Sequence, residues 1–198
     1  MRSTSRSLSK RGCHLAFLRA IDVRGQASVH AAALVTAFES AGCTDVRTYI
    51  QSGNVAFRPP AGQSAAVFAS IRVALRRVLG ETPIVLFRSA RELAALVDAN
   101  PFEGVQDEPP AKLYVGFLSR RPWSSVETPI EWQEESMTVT GATGREVFIV
   151  SRPKPDGFYA IPNPLIESAL GVPATTRNWS TVSRLAELML REYAQVGE

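Results

Sequence analysis

Three short stretches of this chain carry side chains suited to holding a ligand. The first is the polar turn Gln51-Ser52-Gly53-Asn54, which follows Tyr49. It crowds two carboxamides and a hydroxyl onto a tight connection, more hydrogen-bonding capacity than a simple hairpin needs. Gly53 supplies the positive-φ freedom that such a turn requires. The second is Thr176-Arg177-Asn178-Trp179, placed where the last helix should begin. A helix start presents unpaired backbone N–H groups and a partial positive charge to an anion. Arg177 adds a bidentate partner for phosphate or carboxylate, Asn178 reads a neutral polar edge, and Trp179 stacks on a planar group. The third is Arg19, a cation in a mostly apolar segment, which must pair with a carboxylate or reach a strand end.

Each stretch has a structural alternative. Ser52 and Asn54 are residues that commonly satisfy the backbone of a turn. Trp179 can anchor a helix in the core while Arg177 and Asn178 tie down loops, and Asp22 or Asp45 can neutralise Arg19. The catalytic residues, if any, stay unassigned. The two histidines, His14 and His30, lack a partner at metal-ligand spacing, and no nucleophile elbow, phosphate loop or dinucleotide fingerprint occurs. Gly141 and Gly144 read as a hairpin turn, and Asp107, Glu108, Glu134 and Glu135 as solvated charges. Neither a metal nor a cofactor is expected.

The elements that must position these residues follow from periodicity. A buried strand is expected over 13–21 and a helix over 29–41, ending at Gly42. Strands 46–50 and 55–58 flank the polar turn. A helix over 64–79 has Val67, Phe68, Ile71, Leu75, Val78 and Leu79 at helical spacing, and a strand follows at 83–87. This β-α-β-β-α-β order is that of a ferredoxin-like module. Ser89 and Glu92 form a capping box for a connecting helix that Asn100-Pro101 ends. Residues 101–111, rich in proline and acid, read as a linker. The second half repeats the rhythm less clearly. It has a strand at 112–118, an irregular or short helical segment at 123–132, and a hairpin of 136–140 with 146–151. A helix follows, capped by Asn163 with Pro164 at its first position and closed by Gly171 and Pro173. Val182, Leu185, Ala186, Met189, Leu190 and Tyr193 define an amphipathic last helix. The expected fold is α+β: two ferredoxin-like β-α-β-β-α-β repeats with extra helices, over 13–100 and 112–198, after a disordered basic tail at 1–12.

Composition sets the remaining bounds. With 198 residues, 45% hydrophobic and 21% charged, the chain reads as an ordinary globular protein. No apolar run approaches the roughly 18 residues of a membrane span, so no membrane partner is expected. The basic balance belongs to the tail. Residues 1–11 carry four basic residues and no acid, while the rest has 18 basic and 19 acidic residues, or −1. That weakens the electrostatic case for nucleic acid without removing a local basic patch. The tail has no apolar core for a secretory signal. Its Arg/Ser bias faintly suggests a transit peptide, but a plain disordered leader is the simpler reading. Arginine outnumbers lysine 19 to 3, which genomic base composition explains as readily as chemistry does. Cys13 and Cys43 have no metal-binding spacing and fit a reducing, cytoplasmic compartment.

Three blocks, F-L-R-A-I-D-V at 17–23, D-V-R-T-Y-I-Q-S-G-N-V-A-F at 45–57 and T-T-R-N-W-S-T-V-S-R-L at 175–185, resemble in order and distance the domain-of-unknown-function family 1697. The resemblance spans the chain beyond its tail. It implies an α+β protein of two ferredoxin-like repeats and no established activity. The chain departs from the family pattern twice. Where the first loop typically reads I-N-V-G-G, Ile21-Asp22-Val23-Arg24-Gly25 stands, and a G-x-S-type turn before the third block is replaced by Y-A-I-P-N-P-L at 159–165. Asp22 and Arg24 therefore put a family-wide site in question. The leading expectation is a noncatalytic binding protein for a small anionic or nucleotide-like ligand, held by Arg19, Tyr49, Gln51, Ser52, Asn54, Arg177, Asn178 and Trp179. The alternatives are an enzyme on a phosphorylated or carboxylated small molecule, with Tyr49, Asp22 or a histidine as acid or base, and a nucleic-acid or protein interaction module. Oligomeric state is open.

Overall fold

The computed structural model describes residues 12–19, 27–49, 53–60, 64–80, 83–105, 110–122 and 124–194. Among these it is a mixed α+β protein with five helices and two antiparallel sheets. The chain divides into two units, residues 1–94 with 185–198, and residues 95–184.

In the first unit, β1 (His14–Leu18), α1 (Ala27–Ser40), β2 (Thr44–Tyr49), β3 (Asn54–Arg58), α2 (Ser64–Leu79) and β4 (Val85–Ser89) follow one another. The sheet has the order β2-β3-β1-β4, all antiparallel. Alternation along the strands divides their side chains between two faces. Ala16, Leu18, Val55, Phe57, Val85 and Phe87 form a core with Leu34, Ala37 and Phe38 of α1 and Val67, Ile71 and Leu75 of α2. Each large side chain buried there contributes about 1.5–3 kcal/mol. An aromatic ladder runs through the core, with Phe38 on Phe57 at 4.9 Å and Phe68 stacked on Phe87 at 4.2 Å. Leu15, Phe17, Asn54, Ala56, Arg58, Leu86 and Arg88 occupy the opposite face and are buried too. The strand expected over 13–21 ends at Leu18, and Arg19 lies just past it.

The capping box is present at the start of α3 (Ala90–Asp98). The Ser89 amide donates to Glu92 Oε2 at 2.7 Å and the Glu92 amide donates to Ser89 Oγ at 3.2 Å.

The second unit contains β5 (Lys112–Leu118), β6 (Ile130–Trp132), β7 (Met137–Ala142), β8 (Glu146–Ser151), α4 (Pro162–Leu170) and β9 (Ala174–Asn178). Its sheet has the order β6-β7-β8-β5-β9, also antiparallel. Leu118, Met137, Val139, Val147, Ile149 and Ala174 pack against Ile166 of α4. Gly116 on β5 leaves no room for a side chain, since an added Cβ would lie 2.6 Å from Val147 Cγ2. The last helix, α5 (Trp179–Ala194), buries Val182, Leu185, Ala186 and Met189.

Three elements differ from the sequence reading. The segment 123–132, expected to be irregular or helical, supplies the short strand β6, where Trp132 pairs with Met137. The first residue of α4 is Pro162, and its N-cap is Ile161 with no side-chain cap. Pro162 explains the shift, because a proline suits the first helical position and its φ is already set. Residues 174–178, expected to lead into the last helix, are instead the strand β9. Two β-branched threonines favour that state, and the register with β5 supplies the hydrogen bonds.

Candidate functional site

The expected site residues fall into two groups, one in each unit. Gln51 and Ser52 lie outside the described residues, as do Asp22 and Arg24.

In the first unit, β1 ends beside the polar turn. The Leu18 amide donates to the Gly53 carbonyl at 2.7 Å, and the Arg19 amide donates to the Ile84 carbonyl at 2.9 Å. Gly53 holds φ at 71°, the left-handed region that favours glycine. Tyr49 faces Asn54 across the hairpin. Asn54 is 1% exposed and its Nδ2 donates to the Tyr49 carbonyl at 3.3 Å. At least part of the amide is therefore committed to closing the hairpin. Asp45 pairs with Arg58, Oδ2 to Nε at 3.0 Å. Antiparallel pairing thus gathers Arg19, Tyr49 and Asn54 at one end of the sheet.

In the second unit, β9 sets Arg177 opposite Val115 and Asn178 opposite Tyr114. Arg177 shares a face of the strand with Thr175. Its Nη1 donates to Thr175 Oγ1 and to the Thr176 carbonyl, both at 2.9 Å. Burial lowers the Arg177 pKa to about 10, so the guanidinium stays charged at neutral pH. The Trp179 ring meets Phe102 at 5.4 Å with the rings tilted by 61°, and Phe102 meets Phe148 at 5.9 Å. That edge-to-face chain fixes the first turn of α5, the anchoring role that tryptophan offers.

A cavity of about 310 Å³ opens at this junction, lined by Ala111, Lys112, Leu113, Asn178, Trp179 and Ser180. Lys112 is the residue that sequence reasoning missed. It is a lone lysine at a strand start, and only the β5–β9 register carries it toward Asn178. Its Nζ sits 3.8 Å from the centre of the Tyr159 ring, and the Tyr159 hydroxyl donates to the Pro110 carbonyl at 3.2 Å. Burial and the neighbouring Tyr159 raise the pKa of Tyr114. A lysine, a carboxamide, a hydroxyl and an indole thus surround a small space at the positive end of a helix. Among the described residues no three His, Cys, Asp or Glu side chains cluster as they would to hold a metal ion, and no helix is long and apolar enough to cross a membrane.

Two antiparallel sheets with helices, and a small cavity at a strand-to-helix junction, describe an α+β protein with a candidate binding site. The chain belongs to the protein family of unknown function DUF1697, whose model matches residues 13–148. Among solved structures it is similar to the conserved bacterial protein SP0830 from Streptococcus pneumoniae. The identity is 16%, the match covers 90% of this chain and 98% of that one, and the TM-score is 0.57. That likeness is one of fold. No curated protein matches the chain.

Proposed function

We infer that the protein is a noncatalytic binder of a small anionic ligand, of phosphate or carboxylate type, with a planar group as its second handle. The observation that carries this reading is the cavity of about 310 Å³ where Lys112, Asn178, Trp179 and Ser180 meet at the start of α5. Lys112 supplies charge, the first amides of α5 and the Ser180 hydroxyl supply donors, and the Trp179 indole supplies a flat surface. Arg177 stands next in sequence as a half-buried cation that raises the local potential. Among the described residues Lys112 is the one titratable side chain lining the cavity. Acid–base work would need a second group, and this is why binding is favoured over turnover. Arg19, Tyr49 and Asn54, with Gln51 and Ser52 of the same turn, form a second candidate contact set in the first unit.

The architecture suits such a role. Both sheets follow the strand order of a ferredoxin-like module. In the first, β4-β1-β3-β2 is the order 4-1-3-2, and in the second β9-β5-β8-β7 repeats it with β6 added at the edge. This supports a reading of the chain as two ferredoxin-like repeats, 13–100 and 112–198, joined by 101–111, the second departing from the β-α-β-β-α-β order in having the strand β6 where its first helix was expected. A cytoplasmic setting accords with two buried free thiols, Cys13 and Cys43.

The test is native mass spectrometry of freshly purified protein, with thermal-shift titrations against inorganic phosphate, citrate and nucleoside monophosphates. Wild type should retain or be stabilised by one of these. Lys112→Ala should lose at least about tenfold in affinity, a change of roughly 1.4 kcal/mol, with its circular dichroism unchanged. An unliganded spectrum together with no shift across the panel would sink the reading.

A further inference from the structure

We propose that the exposed face of α2 is a docking surface for a second copy of this chain, and that it receives the acidic segment 126–136. The observation behind this is a segregation of charge. Residues 1–94 with 185–198 carry 14 basic and 8 acidic residues, or +6, whereas residues 95–184 carry 8 and 11, or −3. Without the basic tail the first unit is still at +2, with 10 basic and 8 acidic residues.

On the first unit the positive charge is concentrated on α2, S-A-A-V-F-A-S-I-R-V-A-L-R-R-V-L, which contains no acid. Its exposed face carries Arg72, Arg76 and Arg77, with Val73 at 53% exposure among them. Arg72 lies over the Phe87 ring at 5.1 Å. Among the described residues neither Arg76 nor Arg77 forms a salt bridge within the chain. The segment 126–136, V-E-T-P-I-E-W-Q-E-E-S, holds four glutamates and no base. Glu127, Glu131 and Glu134 are exposed, while Ile130 and Trp132 on the edge strand β6 are half-buried and pack against the core of their own unit. Among the described residues only Glu135 of the four forms a salt bridge, with Lys154 at 3.5 Å.

The two surfaces match in kind. Arginines around Val73 face Glu127, Glu131 and Glu134, while Ile130 and Trp132 between them are turned into their own core. Charge supplies the attraction, register and rate of such a pair, and Val73 adds a small apolar contact. Nucleic acid fits the same arginines less well. Phosphate offers nothing to Val73, and the acidic second unit would repel a polyanion. Because the two patches differ, the contact is heterologous and joins copies head to tail.

Sedimentation velocity over a concentration series, at about 0.02 M and about 0.5 M salt, reads this directly. Wild type should associate at low salt and dissociate at high salt. Arg76→Ala with Arg77→Ala in one protein, and Glu131→Gln with Glu134→Gln in another, should each be monomeric alone. These positions are exposed, so the fold should survive, as circular dichroism would verify. Mixed together, the two variants should form a 1:1 dimer and nothing larger, since each retains one intact face. A wild type that is monomeric at every concentration, or variants that associate as wild type does, would overturn the proposal. Binding of a short oligonucleotide that depends on Arg76 and Arg77, without self-association, would also overturn it.

Discussion

His14 shows how one side chain can tie stability to pH. Its ring lies 5.8 Å from Phe57 and 5.5 Å from Phe68, and its Nδ1 is 3.1 Å from the Gly12 carbonyl. Burial lowers its pKa below 6.5, opposed in part by the Gly12 carbonyl and by Glu92. The folded state therefore binds a proton less readily than the unfolded state does. The neutral-His14 contribution is fully present above the unfolded pKa of about 6.5 and is lost as pH falls through the lower folded value. His14→Phe should flatten that part of the pH dependence. Between about pH 5 and 8 the wild-type urea midpoint should fall relative to that of the variant toward the acid end and run parallel to it toward the alkaline end, and curves parallel throughout would exclude the mechanism. Cys43 behaves oppositely as an acid, since burial pushes its thiol up to about 11 and leaves it protonated and inert. Gly116 is the other residue with a sharp consequence. With Val147 fully buried against the site of its missing Cβ, Gly116→Ala should cost about 1–3 kcal/mol. In a Val147→Ala background the same change should cost less. A double-mutant cycle by urea denaturation reads the coupling, and strict additivity would mean that the two side chains do not compete for space.

Among the elements, α2 was the most legible, because Val67, Ile71 and Leu75 recur at helical spacing and all three are buried. The capping box of α3 was equally clear, since Ser89 and Glu92 stand three residues apart and bond each other directly. Ser89→Ala should therefore cost about 0.5–2 kcal/mol in thermal or urea denaturation. Glu92→Gln, which keeps a side-chain oxygen, should cost less, and equal costs would point to a charge effect instead. β9 was illegible for the opposite reason. Ala174-Thr175-Thr176-Arg177-Asn178 has too little apolar content to mark a strand, and its state is decided by pairing with β5 some sixty residues earlier. The candidate site divides along the same line. Trp179 announced itself by type, while Lys112 and the cavity it lines exist only through that distant register. The edge strand β2 shows a further device hidden from sequence. Asp45 takes a φ of 52° at an irregularity in the β2–β3 ladder, and its carboxylate holds Arg58. A kinked, charged edge of this sort resists pairing with a stray strand.

At the scale of the whole molecule, the two units have separate cores. One is built on the β2-β3-β1-β4 sheet with α1 and α2, the other on the β6-β7-β8-β5-β9 sheet with α4. The chain of α5 belongs to both, since the division between units falls after Arg184, within that helix. Whether the cores unfold as one is a question of cooperativity that a single truncation can decide. Ile71 is fully buried in the first core, and Ile71→Ala should cost about 2–5 kcal/mol there. If each unit opens by itself, amide exchange should accelerate in β1, β3 and β4 and stay at wild-type protection in β5, β7 and β8. The amides of α5 after Arg184 should follow the first set and those before it the second. Val139→Ala in the other core should give the reverse pattern. Equal acceleration in both sheets, from either variant, would show that α5 couples the units into one cooperative body.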